Sequence, residues 1–440
     1  MNVAVAKTGN GRAVSDLFAS AEGRLPGSPG VAAVRREAFE TYERLGLPHR
    51  RIEEWKYTDL RALVGEVLPL AASPDAAALK RAAEAVKAHA FEGARKLVLV
   101  DGVFTAELSD VKALASEVSI KTLREVLTNE ANPAAGDLLQ TVSSDAVISL
   151  NAALATDGVV VSVADGTHLS APIQVIHVAT AAGASAFTRS HLRIGKGVRA
   201  TVVESFVAAG KAGGYQVNDA VILWVGADAD LAHIRLMDDA PDAVNVSSHF
   251  VTVGANVKLN FFNMTTGAAV SRLQGFITFS GEGSELSANG VNLLQKTEHG
   301  DTTLVVDHAV PNCVSRETFR AVIDDRAHSV FQGRIIVRPD AQKTDGKMMT
   351  RALLLSDEAE ADNKPELEIF ADDVSCGHGA TAGALDDSLL FYLKARGLPE
   401  KQAQALLIQA FVGEAIEQIA DDGLREHVIG IAERWLERRS

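Results

Sequence analysis

The apolar positions change their period along the chain. Over residues 31–45 and 74–90 they recur at helical spacing in stretches dominated by Ala, Glu, Arg and Leu, which predicts a helical segment over residues 1–95. Ser73-Pro74 reads as an N-cap followed by proline at the first helical position. Between these helices, Arg50-Arg51-Ile52-Glu53-Glu54-Trp55-Lys56-Tyr57-Thr58-Asp59-Leu60 reads as an exposed amphipathic turn that Trp55 and Tyr57 anchor to the body. Lys96–Val100 is apolar and β-branched, and Asp101-Gly102 marks a turn. Helical material returns over Leu108–Leu139, and from Gly158 to Val374 the chain reads as short strands rich in Val, Ile, Thr and Phe. The end is helical again. Ala384-Leu385-Asp386-Asp387 starts a helix over Ser388–Ala395, closed by Gly397. Pro399-Glu400 begins a second, running to Ala420 with a stripe of Leu406, Leu407, Ala410, Phe411 and Ile416. Asp421-Asp422-Gly423 breaks it, and Leu424–Arg438 is a last helix with Val428, Ile431, Trp435 and Leu436 on one side. The division is a helical domain over 1–95, a β core over 96–384 and a helical domain over 385–440.

The strand region repeats. Gly195-x-x-Val198-Arg199-Ala200, Gly226-x-x-Ala229-Asp230-Leu231, Gly254-x-x-Val257-Lys258-Leu259 and Gly281-x-x-Ser284-Glu285-Leu286 share one pattern: a turn glycine, then a small or apolar, a charged and an apolar residue. Looser copies begin at Ala164 (Ala164-x-x-Thr167-His168-Leu169) and Asp324 (Asp324-x-x-Ala327-His328-Ser329), and successive starts are 31, 31, 28, 27 and 43 residues apart. The alternation turns one strand face inward and one outward. A unit this short cannot bury its own inner face, whereas stacked copies would share one core, as in a β-solenoid. A sandwich with similar turns is the competing reading.

Composition narrows what this architecture does. The chain has 440 residues and a net charge of −14, and an acidic surface repels phosphate backbones, which argues against nucleic acid as the main partner. Aromatics are 5% of the residues, so small and branched aliphatics must fill the core. The two cysteines, Cys313 and Cys376, cannot staple a secreted scaffold or fill a four-cysteine metal site. Residues Met1–Val14 lack the basic and apolar blocks of a signal peptide, and no run approaches the ~18–20 apolar residues that span a bilayer. The expectation is a cytoplasmic protein, without a membrane span.

Nucleotide and hydrolase motifs are missing. Gly346-Lys347-Met348-Met349 has Ala341 where a P-loop needs its first glycine, and no hydroxyl follows the lysine. Gly281-Glu282-Gly283 reads as a turn, and there is no G-x-S-x-G elbow. His308 and Cys313 would form a nucleophilic pair only if the fold joined them; otherwise Cys313 is a buried strand thiol. The sharper feature is Ala371-Asp372-Asp373-Val374-Ser375-Cys376-Gly377-His378-Gly379-Ala380-Thr381. Cys376 and His378 face one side of an extended segment, and glycines 377 and 379 leave room for an ion or another chain. Thiolate and imidazole suit zinc, copper or iron–sulfur chemistry, but two soft ligands fall short of the about four that a tetrahedral centre needs. A plain turn, a site completed by distant His or by Asp372 and Asp373, and a half-site finished by a partner chain all remain open.

These residues carry a resemblance. Phe331–Val337, Ala341–Gly346, Leu353–Ser356, Pro365–Ile369, Ala371–Val374, Cys376–Thr381 and Leu390–Gly397, with Glu54–Leu60 near the start, resemble the SufB/SufD family of the SUF iron–sulfur cluster assembly system. Where the SufB type carries its catalytic cysteine, this chain reads Thr350-Arg351-Ala352-Leu353-Leu354, so the SufD type is the nearer match. The resemblance implies a right-handed parallel β-helix core between helical ends, and a non-enzymatic, non-ATPase subunit. It implies pairing with SufB through the β-helix and with the ATPase SufC through the C-terminal helices. It also implies a transient iron–sulfur cluster shared with SufB, with His378 as a ligand and Cys376 beside it. A reduced flavin (FAD) belongs to the family's complex, though no residues here locate it. A purely structural subunit, bracing SufB and coupling SufC, is the alternative. The sequence leaves open a homodimer of the chain alone.

Overall fold

The computed structural model describes residues 9–114, 117–132, 134–140 and 145–439, and side chains from Ser15 onward. Residues 1–8, most of the stretch read for targeting signals, lie outside it. Two stacked parallel sheets make a β-helix. The front sheet orders its strands from the C-terminal end as Ser375–Gly383, Asp345–Leu354, Val314–Ile323, Glu285–Leu294, Lys258–Thr265, Asp230–Asp238, Arg199–Ala208, Ile173–Ala179 and Arg95–Val100, with Val103–Phe104 antiparallel at the far edge. The back sheet runs Glu360–Ile369, His328–Val337, His299–His308, Val270–Phe279, Val244–Val253, Gln216–Val225, Ser185–Ile194 and Val159–Val163, with Val118–Thr122 antiparallel at its edge. The chain alternates between the sheets, so each coil adds one strand to each. This is the solenoid and not the sandwich.

The repeat marks the corner leading from back sheet to front sheet. The charged residues of the four strict copies lie in register, Arg199 beside Asp230, Asp230 beside Lys258 and Lys258 beside Glu285. Opposite charges therefore alternate up the edge, a stabilising neighbour pattern. The Ala164 copy joins through the bridge from His168 to Arg199. The leading glycine is required by stacking: a Cβ on Gly281 would lie 2.2 Å from the backbone nitrogen of Ala255 one coil below. The third position turns left-handed, with φ of 59° at Asp228 and 55° at Asn256, a conformation that Asp and Asn tolerate. The Asp324 copy corrects the reading. It leads from front to back, its left-handed residue is Asp325, and His328 pairs with His299 in the back sheet, which explains the 43-residue step.

Inward-facing Leu, Val, Ile and Phe from both sheets, from Leu97 to Ala371, form one continuous core. The outer face of the front sheet, including Ile234, Phe262, Val291 and Val322, is covered by the C-terminal helices through Ile408, Val412, Ile416, Val428 and Trp435. Those helices are Asp387–Ala395, Glu400–Ile416 and Asp422–Arg438. Asp421 and Asp422 do not only break a helix. Asp421 caps the last one, accepting a hydrogen bond from the Leu424 N–H at 2.8 Å. Of the expected stripe on Glu400–Ile416, Ile416 is buried and Leu407 and Phe411 are half-buried, but Leu406 and Ala410 are exposed, and Ala403, Ile408, Val412 and Ala415 complete the inner face. This helix is apolar around most of its circumference, so spacing alone did not single out its inner face.

At the other end lie Gly9–Ala21, Pro29–Leu45, Leu60–Leu63 and Ala76–His89. The cap of the last of these is Asp75, which accepts from the Ala78 N–H at 2.7 Å, and not Ser73-Pro74. Ala76–His89 packs on the front sheet through Ala82 and Val86. Pro29–Leu45 packs through Phe39 and Tyr42 against Ala146–Leu154, a helix buried along its whole length. The stretch 108–139 is less helical than its composition suggested: short turns at Val111–Leu114, Leu123–Thr128 and Ala135–Leu139 surround the strand Val118–Thr122. That strand pairs with Val159–Val163, a non-local contact that overrides propensity.

Candidate functional site

The site predicted from Cys376 and His378 falls on the last coil. Its strands, Glu360–Ile369 and Ser375–Gly383, end the two sheets, and among the described residues their outer edges pair with nothing. Cys376 sits beside Gly346 and His378 beside Met348 in the preceding strand, so both share the face toward the lumen. Cys376 is half-buried against the core, whereas His378 is exposed. Burial pushes the Cys376 thiol up, and the charge of Asp345 pushes it further. The two glycines differ. Gly377 faces open space, but a Cβ on Gly379 would meet Met349 Cε at 2.6 Å, so its room is taken by this chain. Asp373 forms an ion pair with Lys343, and Asp372 is exposed. The structure places Cys376 and His378 on one face of the last strand, with the two aspartates before that strand begins.

Glu317 was not legible as a site residue. It lies one strand inside Met348 and therefore two strands from His378, facing the lumen. It is buried, neither carboxyl oxygen has a hydrogen-bond partner, and burial pushes its pKa up to about 8. The last coil thus overlies an uncharged carboxylic acid at neutral pH. Cys313 and His308 do not meet. The Cys313 sulfur contacts the Gly281 and Pro311 carbonyls at 3.5 and 3.6 Å, and His308 Nε2 lies 3.0 Å from the Ser315 hydroxyl. Burial raises the Cys313 thiol, which makes it a poor nucleophile. Gly346-Lys347 lies within the strand Asp345–Leu354, away from any phosphate-binding turn.

The Glu54–Leu60 segment is not an exposed turn. Trp55 is buried, donates from Nε1 to Asp145 at 2.7 Å and lies 3.9 Å from the Arg272 guanidinium. Arg272 pairs with Asp301 and donates to the Glu54 carbonyl at 2.8 Å; Thr58 bonds Asp301 and lies 2.9 Å from His299 Nε2. Glu53 reaches Lys364 on the last coil. Gln332 also donates to the Glu54 carbonyl, at 3.3 Å, so one short segment ties together four successive back-sheet strands, from Val270–Phe279 to Glu360–Ile369. Tyr57 is only half-buried.

A second cluster, also invisible in the sequence, lies inside the β-helix. Glu204, His233 and His249 bring their ligand atoms within 4.8 Å of one another, a set that could hold a metal ion. Arg235 Nη1 donates to Glu204 Oε2 at 2.6 Å and contacts His249 Nε2. Burial works to raise the Glu204 carboxyl, but the Arg235 charge and the hydrogen bond with His233 hold it well below its usual range. Burial and then Arg235 push His249 well down, so its ring is neutral.

A parallel β-helix core between helical ends, with a cysteine and a histidine on its terminal coil, is the class of protein that the fold defines. Comparison with known proteins agrees. The SUF system FeS cluster assembly SufBD core domain matches residues 177–411, and the SufBD protein N-terminal region matches residues 12–175. The chain is 32% identical over 391 residues, 88% of each chain, to the iron–sulfur cluster assembly protein SufD of Escherichia coli. It is 29% identical over 400 residues to a SufBD family protein of Synechocystis, covering 88% of this chain and 86% of that one. It is also 27% identical over 444 residues to the chloroplastic protein ABCI7 of Arabidopsis thaliana, covering 95% and 90%. The chain belongs to the SufB/SufD family of the SUF iron–sulfur cluster assembly system. No helix among the described residues is long and apolar enough to cross a membrane.

Proposed function

We propose that this chain is the SufD-type, non-ATPase subunit of a SUF complex, and that it lends His378, with Cys376 beside it, to a cluster assembled against a SufB-type partner. The observation that carries this reading is the open last coil, where unpaired strand edges and an exposed imidazole occur together. An unpaired edge is a template for another chain's strand, and two soft ligands make half of a tetrahedral centre. Ile369 and Phe370, 42% and 59% exposed at the same end, add apolar surface for such a partner. The cluster is cargo, shared with the partner and then released.

The C-terminal helices are the docking surface for a SufC-type ATPase in this reading, and their outward side leaves Leu389, Phe391, Tyr392 and Leu406 exposed. Glu414 on the second helix reaches Arg320 and Arg351, and Arg351 lies on the strand paired with Ser375–Gly383. A pull on the helices would therefore be felt one strand from His378. Hydrogen exchange at residues 376–381 in the assembled complex is expected to respond to nucleotide.

His378→Ala is the test. It should abolish cluster loading of the SufB–SufC–SufD complex, followed by Mössbauer spectroscopy, while leaving the complex intact. Normal loading in that variant would overturn the ligand role and leave a bracing subunit, for which the ties made by Glu53–Thr58 across four strands are the supporting observation.

A further inference from the structure

We propose that Glu204, His233 and His249 form a divalent transition-metal site inside the β-helix, and that Arg235 withdraws from it to Asp219 when the ion binds. The site is separate from the last coil: the strand Asp230–Asp238 is five strand positions from Ser375–Gly383 in the front sheet, about 24 Å at the usual strand spacing.

Four observations lead to this. The donor set is two imidazoles and one carboxylate, which suits Zn²⁺ or Fe²⁺. It is held by rigid elements: Glu204 and His233 come from the neighbouring strands Arg199–Ala208 and Asp230–Asp238, and His249 from Val244–Val253 in the facing sheet. His249 already presents the lone pair a metal needs, because a guanidinium only donates and Arg235 Nη1 is in contact with His249 Nε2. Finally, the Arg235 guanidinium already occupies the place between these donors, with Nη1 2.6 Å from Glu204 Oε2 and in contact with His249 Nε2.

Arg235 has somewhere to go. Asp219 Oδ2 is buried, has no hydrogen-bond partner and lies 3.6 Å from Arg235 Nη1, while its other oxygen accepts from the Thr188 hydroxyl at 2.6 Å. Arg235 Nε and Nη2 are likewise buried without partners, so a shift toward Asp219 would satisfy groups now left bare. The proton that His233 directs at Glu204 from Nε2 moves to its own Nδ1, which is also without a partner, so no proton need leave the protein on that account. Phe206 stacks under Arg235 at 4.8 Å, and Phe261 meets both imidazoles edge-on, which keeps the surroundings dry. The donors' side chains are only 1% exposed, so the ion enters during folding or through rare opening and then exchanges slowly.

The test uses the full chain carrying Cys376→Ala and His378→Ala, refolded with Co²⁺ present and then desalted. We expect about one Co²⁺ per chain, visible d–d absorption without a thiolate charge-transfer band, and retention against EDTA until the protein is unfolded. Glu204→Gln and the His233→Ala/His249→Ala pair should lose the bound cobalt. Arg235→Met, which removes the competing cation, should bind about ten times more tightly. Absence of bound cobalt in both the parent and the Arg235→Met variant, each shown to be folded by circular dichroism, would overturn the proposal. So would cobalt that persists in the folded His233→Ala/His249→Ala variant.

Discussion

The middle coils of the β-helix and its last coil follow one repeat but end differently. Phe262 and Phe279 in the middle are fully buried, one beneath the C-terminal helices and one in the lumen, whereas Ile369 and Phe370 at the end are 42% and 59% exposed. Among the described residues a middle strand has a neighbour on each side, and Ser375–Gly383 has one. Its residues match that position. Cys376-Gly377-His378-Gly379-Ala380-Thr381 has no large apolar side chain to bury, so this strand adds polar and small side chains to the molecule more than core. The middle is enclosed on both sides, and the end is open on one.

If this contrast is right, the same kind of change should act very differently in the two regions. Phe279→Ala should cost about 3–5 kcal/mol, read as a fall in the urea midpoint, because it leaves a cavity in a core that cannot close over it. Asp301→Ala should also cost about 3–5 kcal/mol, since it strands the buried Arg272 without its counter-ion and loosens the Trp55 segment.

A pH test probes the boundary between the regions at Glu317. Burial raises this carboxyl to about 8 from a usual 4.5, so the folded state favours the proton-bound form. Its stabilisation is complete below the usual carboxyl range and is lost as pH rises through about 8. Wild-type stability should therefore fall between about pH 5 and pH 9 more than that of Glu317→Gln, which cannot ionise. Equal slopes for the two proteins would show that Glu317 is not held neutral. The smaller effects lie outside the lumen. Asp421→Ala should cost about 1 kcal/mol by removing the cap of the last helix. His378→Ala should change stability by less than about 0.5 kcal/mol, the usual scale for an exposed side chain, while changing cluster loading most of all. A large loss of stability there would erase the distinction between the two regions.

Much of the architecture was legible because it is encoded at short range. The leading glycines at 195, 226, 254 and 281 and the left-handed third position belong to one corner, and their spacing announced the stacking. Caps at Asp386 and the glycine at 397 were equally local. The errors came where a local signal had more than one solution. Ser73-Pro74 offered a cap two residues before Asp75, and the Asp324 copy imitated a corner of the other hand-over between sheets. Leu406 looked like core because Glu400–Ile416 is apolar on both sides.

The shared face of Cys376 and His378 was legible because residues two apart on one strand point the same way. Glu317 and the Glu204–His233–His249 set were not, because parallel neighbours are about thirty residues apart in the chain and facing strands belong to different sheets. The sequence by itself determined the repeat, the helical ends and the placing of Cys376 and His378 on one strand face. Only the tertiary structure decided which coil is last, which carboxyl loses its charge and which imidazoles meet. Those outcomes depend on burial and on non-local pairing, and neither is carried by the spacing of residues within a single strand.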